Sequence, residues 1–146
     1  SSGDLRMGNL TANRVEFHIS SSGDLSVDNL QAERVELLLS SSGDLSIDSL
    51  RAESLTATLS SAGNVTIAGG RVDRQELRLS SSGDYEAPDL ESAAAEARLS
   101  SSGNATIRVS ERLDATITSS GDLRYIGSPR VDVRGDGPGR LRQIGP

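Results

Sequence analysis

The chain has 146 residues, of which 34% are hydrophobic and 2% aromatic, with no Cys and no Trp; this excludes a thick aromatic core, a disulfide scaffold and thiolate metal centres. A formal net charge of −6 argues against nucleic acid or an anionic membrane as partner, since both call for a basic patch. No run approaches the ~18 apolar residues of a membrane span, so this sequence holds no transmembrane segment.

The elements repeat from the first residue. Ser1-Ser2-Gly3-Asp4-Leu5 returns at Ser21 and Ser41 with a period of 20 residues. Ser61-Ala62-Gly63-Asn64-Val65, Ser81-Ser82-Gly83-Asp84-Tyr85 and Ser101-Ser102-Gly103-Asn104-Ala105 keep that spacing, and Ser119-Ser120-Gly121-Asp122-Leu123 follows after 18. A shortened eighth unit runs from Gly135-Asp136-Gly137 to Leu141 and Ile144. The sequence opens without a charged and then apolar leader, so any signal peptide is expected to have been removed or to lie outside these residues.

Within a unit the apolar residues alternate, which is the period of a strand and not of a helix. Seven slots hold Leu5, Met7, Leu10, Ala12, Val15, Phe17 and Ile19 in the first unit. They hold Leu25, Val27, Leu30, Ala32, Val35, Leu37 and Leu39 in the second, then Leu45, Ile47, Leu50, Ala52, Leu55, Ala57 and Leu59. The alternation slips between the second and third slots and between the fourth and fifth, where the chain must turn, so each unit is expected to bend into three short strands. A unit of this size closes no core alone, whereas stacked units place slot over slot. The reading is all-β: one right-handed parallel β-solenoid domain over residues 1–146. Its 20-residue coils, about seven in number, begin near residues 1, 21, 41, 61, 81, 101 and 119, with a shortened terminal coil at 135–146. An antiparallel sandwich would need turn signals every 8 to 12 residues.

The coil corners carry Gly3, Gly23, Gly43, Gly63, Gly83, Gly103 and Gly121, expected as structural turns of positive φ. The next residue is Asp4, Asp24, Asp44, Asn64, Asp84, Asn104 or Asp122, an Asx that accepts hydrogen bonds from turn N–H groups. The alternative is a ladder of Asp4, Asp24, Asp44, Asp84 and Asp122 that would take calcium as a hard, oxygen-seeking cation. Serines before the glycine, as in Ser20-Ser21-Ser22 and Ser40-Ser41-Ser42, are expected to stack into hydroxyl columns that satisfy one another and the backbone, with an ice- or glycan-binding face as the alternative.

Nothing assembles catalysis. His18 is the single histidine and sits outside the core slots, the chain contains no Lys, and the units carry no long insertions. No catalytic or cofactor-binding residue is assigned.

The later units are more particular. Gly63-Asn64-Val65-Thr66-Ile67-Ala68-Gly69 is followed by Gly83-Asp84-Tyr85-Glu86-Ala87-Pro88-Asp89-Leu90 and Gly103-Asn104-Ala105-Thr106-Ile107-Arg108-Val109. Leu113-Asp114-Ala115-Thr116-Ile117 and Gly121-Asp122-Leu123-Arg124-Tyr125-Ile126-Gly127-Ser128-Pro129 close the series. Over essentially the whole chain this resembles the head GIN domain family of bacterial envelope proteins, known by its fold and by an inferred auto-transporter adhesin label. The corners depart from the family's Ser-Gly-Ser-Gly, and the family's amino-terminal segment is not among these residues. The resemblance implies an extracytoplasmic, β-helical, non-enzymatic protein, at the cell surface, in the periplasm or secreted.

A stack of coils leaves unpaired backbone groups at both ends. Residues 1–100 carry 8 Arg against 16 acidic residues and residues 101–146 carry 7 against 5, so the axis is polar in charge. Head-to-tail assembly of copies is the expected partnership, alongside a cell-surface or glycan partner. Gly135-Asp136-Gly137-Pro138-Gly139 is expected to blunt the last coil.

Overall fold

The computed structural model describes residues 4–19, 23–40, 43–60, 63–80, 83–100, 103–118, 120–135 and 141–145, and every regular element among them is a β-strand. The first coil is β1 (Leu5–Thr11) and β2 (Arg14–Ile19); the second is β3 (Leu25–Gln31) and β4 (Arg34–Leu39). The third is one long strand, β5 (Leu45–Leu59), and the fourth is β6 (Val65–Ile67) and β7 (Gly70–Leu79). Then come β8 (Tyr85–Leu99), β9 (Ala105–Ile117), the pair β10 (Leu123–Ile126) and β11 (Arg130–Arg134), and finally β12 (Leu141–Gly145). All pairings are parallel, and each coil pairs only with its neighbours, which is a β-solenoid. The seven Asx corners from Asp4 to Asp122 bound about six turns.

The slips in alternation are visible as interruptions in pairing. Leu5–Met7 pair with Leu25–Val27, pairing resumes at Asn9–Thr11, and it resumes again at Arg14–Ile19. Three paired segments per coil therefore form, as the pattern predicts. They are not three separate strands: β5, β8 and β9 run through their corners, because a one-residue slip requires only a local bend.

The slots build the core. All seven apolar slots of the second coil are buried, and in the third only Ala52 is half-exposed. Register carries each slot along the axis: Leu25 stands on Leu5 and under Leu45, followed by Val65, Tyr85, Ala105 and Leu123. Each fully buried Leu or Ile contributes about 2 kcal/mol of burial free energy, so the column replaces the aromatic core that composition excludes.

Glycine acts at places the repeat does not flag. Gly70 takes the slot of Leu50 and Leu90 at φ 127°, with its backbone so near that an added Cβ would lie 2.0 Å from the Leu50 carbonyl oxygen. Gly127 and Gly135 show the same close approach to the coil before them. Gly23, Gly43, Gly63, Gly83, Gly103 and Gly121 are buried, so the corner folds inward. Gly3 and the residues that precede Gly23, Gly43, Gly63, Gly83 and Gly103 lie outside the described residues, and the expected turn conformation falls there with them. Residues 136–140, expected to blunt the last coil, also lie outside.

The sixth coil shows how a unit loses two residues. The partner offset between β8 and β9 is 20 at Ala87↔Ile107, 17 at Glu91↔Arg108 and 18 at Ala94↔Arg112. The skipped stretch at Pro88 and Asp89 is held by Arg108, whose Nε donates to the Pro88 carbonyl at 2.8 Å.

Candidate functional site

The Asx corners form a continuous hydrogen-bond ladder. Each Asx backbone N–H donates to the side-chain Oδ1 one coil earlier: Asp24 to Asp4 at 3.1 Å, Asp44 to Asp24 and Asn64 to Asp44 at 3.0 Å. Asp84 to Asn64 at 2.9 Å, Asn104 to Asp84 at 3.0 Å and Asp122 to Asn104 at 2.9 Å complete it. Each Asx carbonyl meanwhile accepts the N–H after the previous corner, as Asn64 accepts from Leu45 at 2.8 Å. One residue thus ties two coils through both backbone and side chain. Asp and Asn serve equally because the accepting atom is an oxygen in both, which explains their interchange at this corner. The carboxylates stand in single file one coil apart, and no group of three or more His, Cys, Asp or Glu among the described residues is placed to hold a metal ion.

Beside it runs a hydroxyl column. Ser40, Ser60, Ser80, Ser100 and Thr118 each direct both backbone N–H and side-chain hydroxyl to one carbonyl of the preceding coil, the N–H at 2.9 Å and the hydroxyl at 3.2–3.4 Å. The expected satisfaction by backbone is present at these positions; Ser20–Ser22 and Ser41–Ser42 lie outside the described residues.

A third feature was not read from the sequence. The strands that close each coil frame a groove of about 560 Å³ along the axis. One wall is the register column Arg14, Arg34, Ser54, Arg74, Ala94 and Arg112; the other is Glu36, Thr56, Glu76, Glu96 and Asp114. The carboxylates have cationic neighbours: Glu76 meets Arg78 at 3.1 Å, Glu96 meets Arg98 at 3.2 Å, and Asp114 meets Arg112 at 3.2 Å. Glu36 lies 3.7 Å from Arg14. On the same column beyond the groove, His18 lies 3.1 Å from Glu16 and holds its carboxyl below the ordinary range. The available signal was Arg-Val-Glu at Arg14, recurring at Arg34 and as Arg-Gln-Glu at Arg74, on the exposed side of the strand period. Sorting the units by apolar slot alone passes over it.

Among the described residues the core contains one polar chain. The Tyr85 hydroxyl donates to Gln75 Oε1 at 3.1 Å, Gln75 Nε2 donates to Ser92 Oγ at 2.8 Å, and Ser92 Oγ donates to the Arg108 carbonyl at 2.6 Å. Burial pushes the Tyr85 phenol well above its ordinary pKa. Gln75 occupies the slot of Val15, Val35 and Leu55, so a polar residue on an apolar column was the readable sign.

A protein-family profile described as "Putative auto-transporter adhesin, head GIN domain" matches residues 10–129. The chain belongs to this family. The head GIN domain seen here is similar in fold to three bacterial crystal structures. A "putative lipid binding protein" from Parabacteroides distasonis has TM-score 0.86 at 23% identity, over 99% of this chain and 59% of its own. A "putative adhesin" from Bacteroides fragilis has TM-score 0.82 at 19% identity, over 99% of this chain and 89% of its own. A "putative adhesin" from P. distasonis has TM-score 0.76 at 19% identity, over 98% and 61%. The head GIN domain chain therefore spans about three-fifths of the length of two of them. No curated relative matches the sequence.

Proposed function

We propose that the chain is a non-enzymatic adhesive and structural module of the bacterial cell surface, whose copies stack end to end through their terminal coils. Membership of an adhesin-described family supports the surface role. The observation that carries the assembly is where large apolar side chains meet water. Among the described residues these are Leu5 in the first described coil and Val133 and Ile144 in the last two.

The two ends match in register. Leu5 heads the column that ends at Leu141, and half-buried Phe17 heads the one that ends at Val133. A second copy set on the last coil continues both columns and pairs the open strand edges. The charge difference between the two stretches, net −8 over 1–100 and net +2 over 101–146, favours the same polarity.

Electron microscopy and sedimentation of the purified chain, at low and moderate salt and with and without calcium, test the reading. Filaments or uniform oligomers that form without calcium, and are lost in Val133→Asp, are the expected result. Monomers under every condition overturn assembly. Particles that order only with calcium overturn it in favour of a metal-bearing ladder at Asp4, Asp24, Asp44, Asp84 and Asp122.

A further inference from the structure

The groove along the closing strands has a periodicity that differs from that of the coils. In its first wall the register column reads Arg34, Ser54, Arg74, Ala94, Arg112, so from the second coil a guanidinium returns at every second coil. At ~4.8 Å per coil, these cations recur about every 9.6 Å. Ser54 and Ala94 between them are small and leave room.

Two of these cations go unanswered by the carboxylates opposite, while Arg112 is paired with Asp114 at 3.2 Å. Glu36, Glu76 and Glu96 lie beside Arg14, Arg78 and Arg98, whereas the guanidinium groups of Arg34 and Arg74 have no ion pair or hydrogen-bond partner among the described residues. The groove thus presents forked donors to anions at Arg34 and Arg74, two coils apart.

From this we infer that the groove binds a linear acidic polysaccharide bearing one anionic group per disaccharide, laid along the rod axis. The anionic sugars stand over Arg34 and Arg74, and the uncharged sugars over Ser54 and Ala94. A pyranose unit and a coil advance by nearly the same length, so the register persists along the groove. Among the described residues no aromatic side chain lines the groove, which disfavours neutral glycans held by ring stacking. The carboxylates of the groove do not prevent this, because Glu36, Glu76, Glu96 and Asp114 each have a guanidinium neighbour within 3.7 Å, and repulsion from more distant charges is screened beyond a Debye length of ~8 Å at physiological salt.

The inference deepens the adhesion reading by naming the polymer met at the surface, and it rests on that reading only for where the polymer is met. The test uses the intact chain and titration calorimetry with oligosaccharides of hyaluronan, which carries one carboxylate per disaccharide; uncharged dextran and polyaspartate are the comparison probes. Hyaluronan is expected to bind with an affinity that falls as salt rises, and neither comparison polymer to match it. Arg34→Ala and Arg74→Ala should each weaken binding about tenfold, from loss of a charge-assisted hydrogen bond. Ser54→Glu should weaken it at least as much, while Arg6→Ala, which lies outside the groove, should leave it unchanged. Circular dichroism confirms that each variant is folded. Equal binding of dextran or polyaspartate, or undiminished binding by the Arg34→Ala/Arg74→Ala double variant, overturns the inference. Because calorimetry does not depend on stacking, polymer binding by a monomer would count against assembly alone.

Discussion

The Asp44 carboxylate accepts the backbone N–H of Asn64 at 3.0 Å, and Asn64 in turn accepts that of Asp84 at 2.9 Å. Since only an oxygen is required, Asp44→Asn should leave stability within about 0.5 kcal/mol, whereas Asp44→Ala should cost about 1 kcal/mol by stranding a donor. Urea unfolding followed by circular dichroism checks both; an Asn variant as damaged as the Ala variant would mean that the ladder needs charge.

Tyr85 anchors the buried polar chain. Tyr85→Phe should cost about 1 to 2 kcal/mol, because Gln75 Oε1 loses its donor at 3.1 Å. Adding Gln75→Leu should recover part of that loss by removing the orphaned acceptor, a coupling that a double-mutant cycle in urea measures directly.

The same phenol sets an alkaline limit. Its pKa is raised in the fold from an unfolded value near 10.0, so below that pH the group is neutral in both states and contributes no pH dependence. As pH rises beyond it, the unfolded chain ionises first and the native state loses stability. Unfolding midpoints taken from neutral pH to above the unfolded pKa should fall in the parent and fall less in Tyr85→Phe.

Gly70→Ala should be among the most damaging single substitutions. It combines φ 127° with a Cβ placed 2.0 Å from the Leu50 carbonyl oxygen, and about 3 kcal/mol or more is expected. Gly8→Ala, with nothing within 4 Å of the new Cβ, serves as the control and should change stability by less than about 0.5 kcal/mol. Thermal melts of the two variants compare the positions.

How far the sequence could be read depends on what kind of information each feature uses. Leu25 and Leu45 were legible because a slot repeats at a fixed interval and its neighbour above is the same slot. The corner ladder was legible as Asx chemistry, though not as a link between coils, since the donor to Asp4 lies a whole turn away at Asp24. Gly70 was not legible, because nothing in Ala68-Gly69-Gly70 says that the backbone will move into the space of a leucine. The Arg34 and Arg74 column was in plain sight but shares its alternation with every solvated face. What distinguishes it is the groove and the missing partners, which exist only once the coils are stacked.

Nearest-neighbour stacking has a consequence for how such a protein can change size. Because the Asp24 corner bonds to the coils on either side, through Asp4 and Leu5 before it and Asp44 after it, removing residues 25–44 would bring Asp24 before Leu45 with every ladder donor meeting an equivalent acceptor. Duplicating such a unit would add one step of height to the rod without redesigning its interior. The reach of the molecule is therefore a quantity that inheritance can adjust in whole units, separately from the chemistry displayed on its sides.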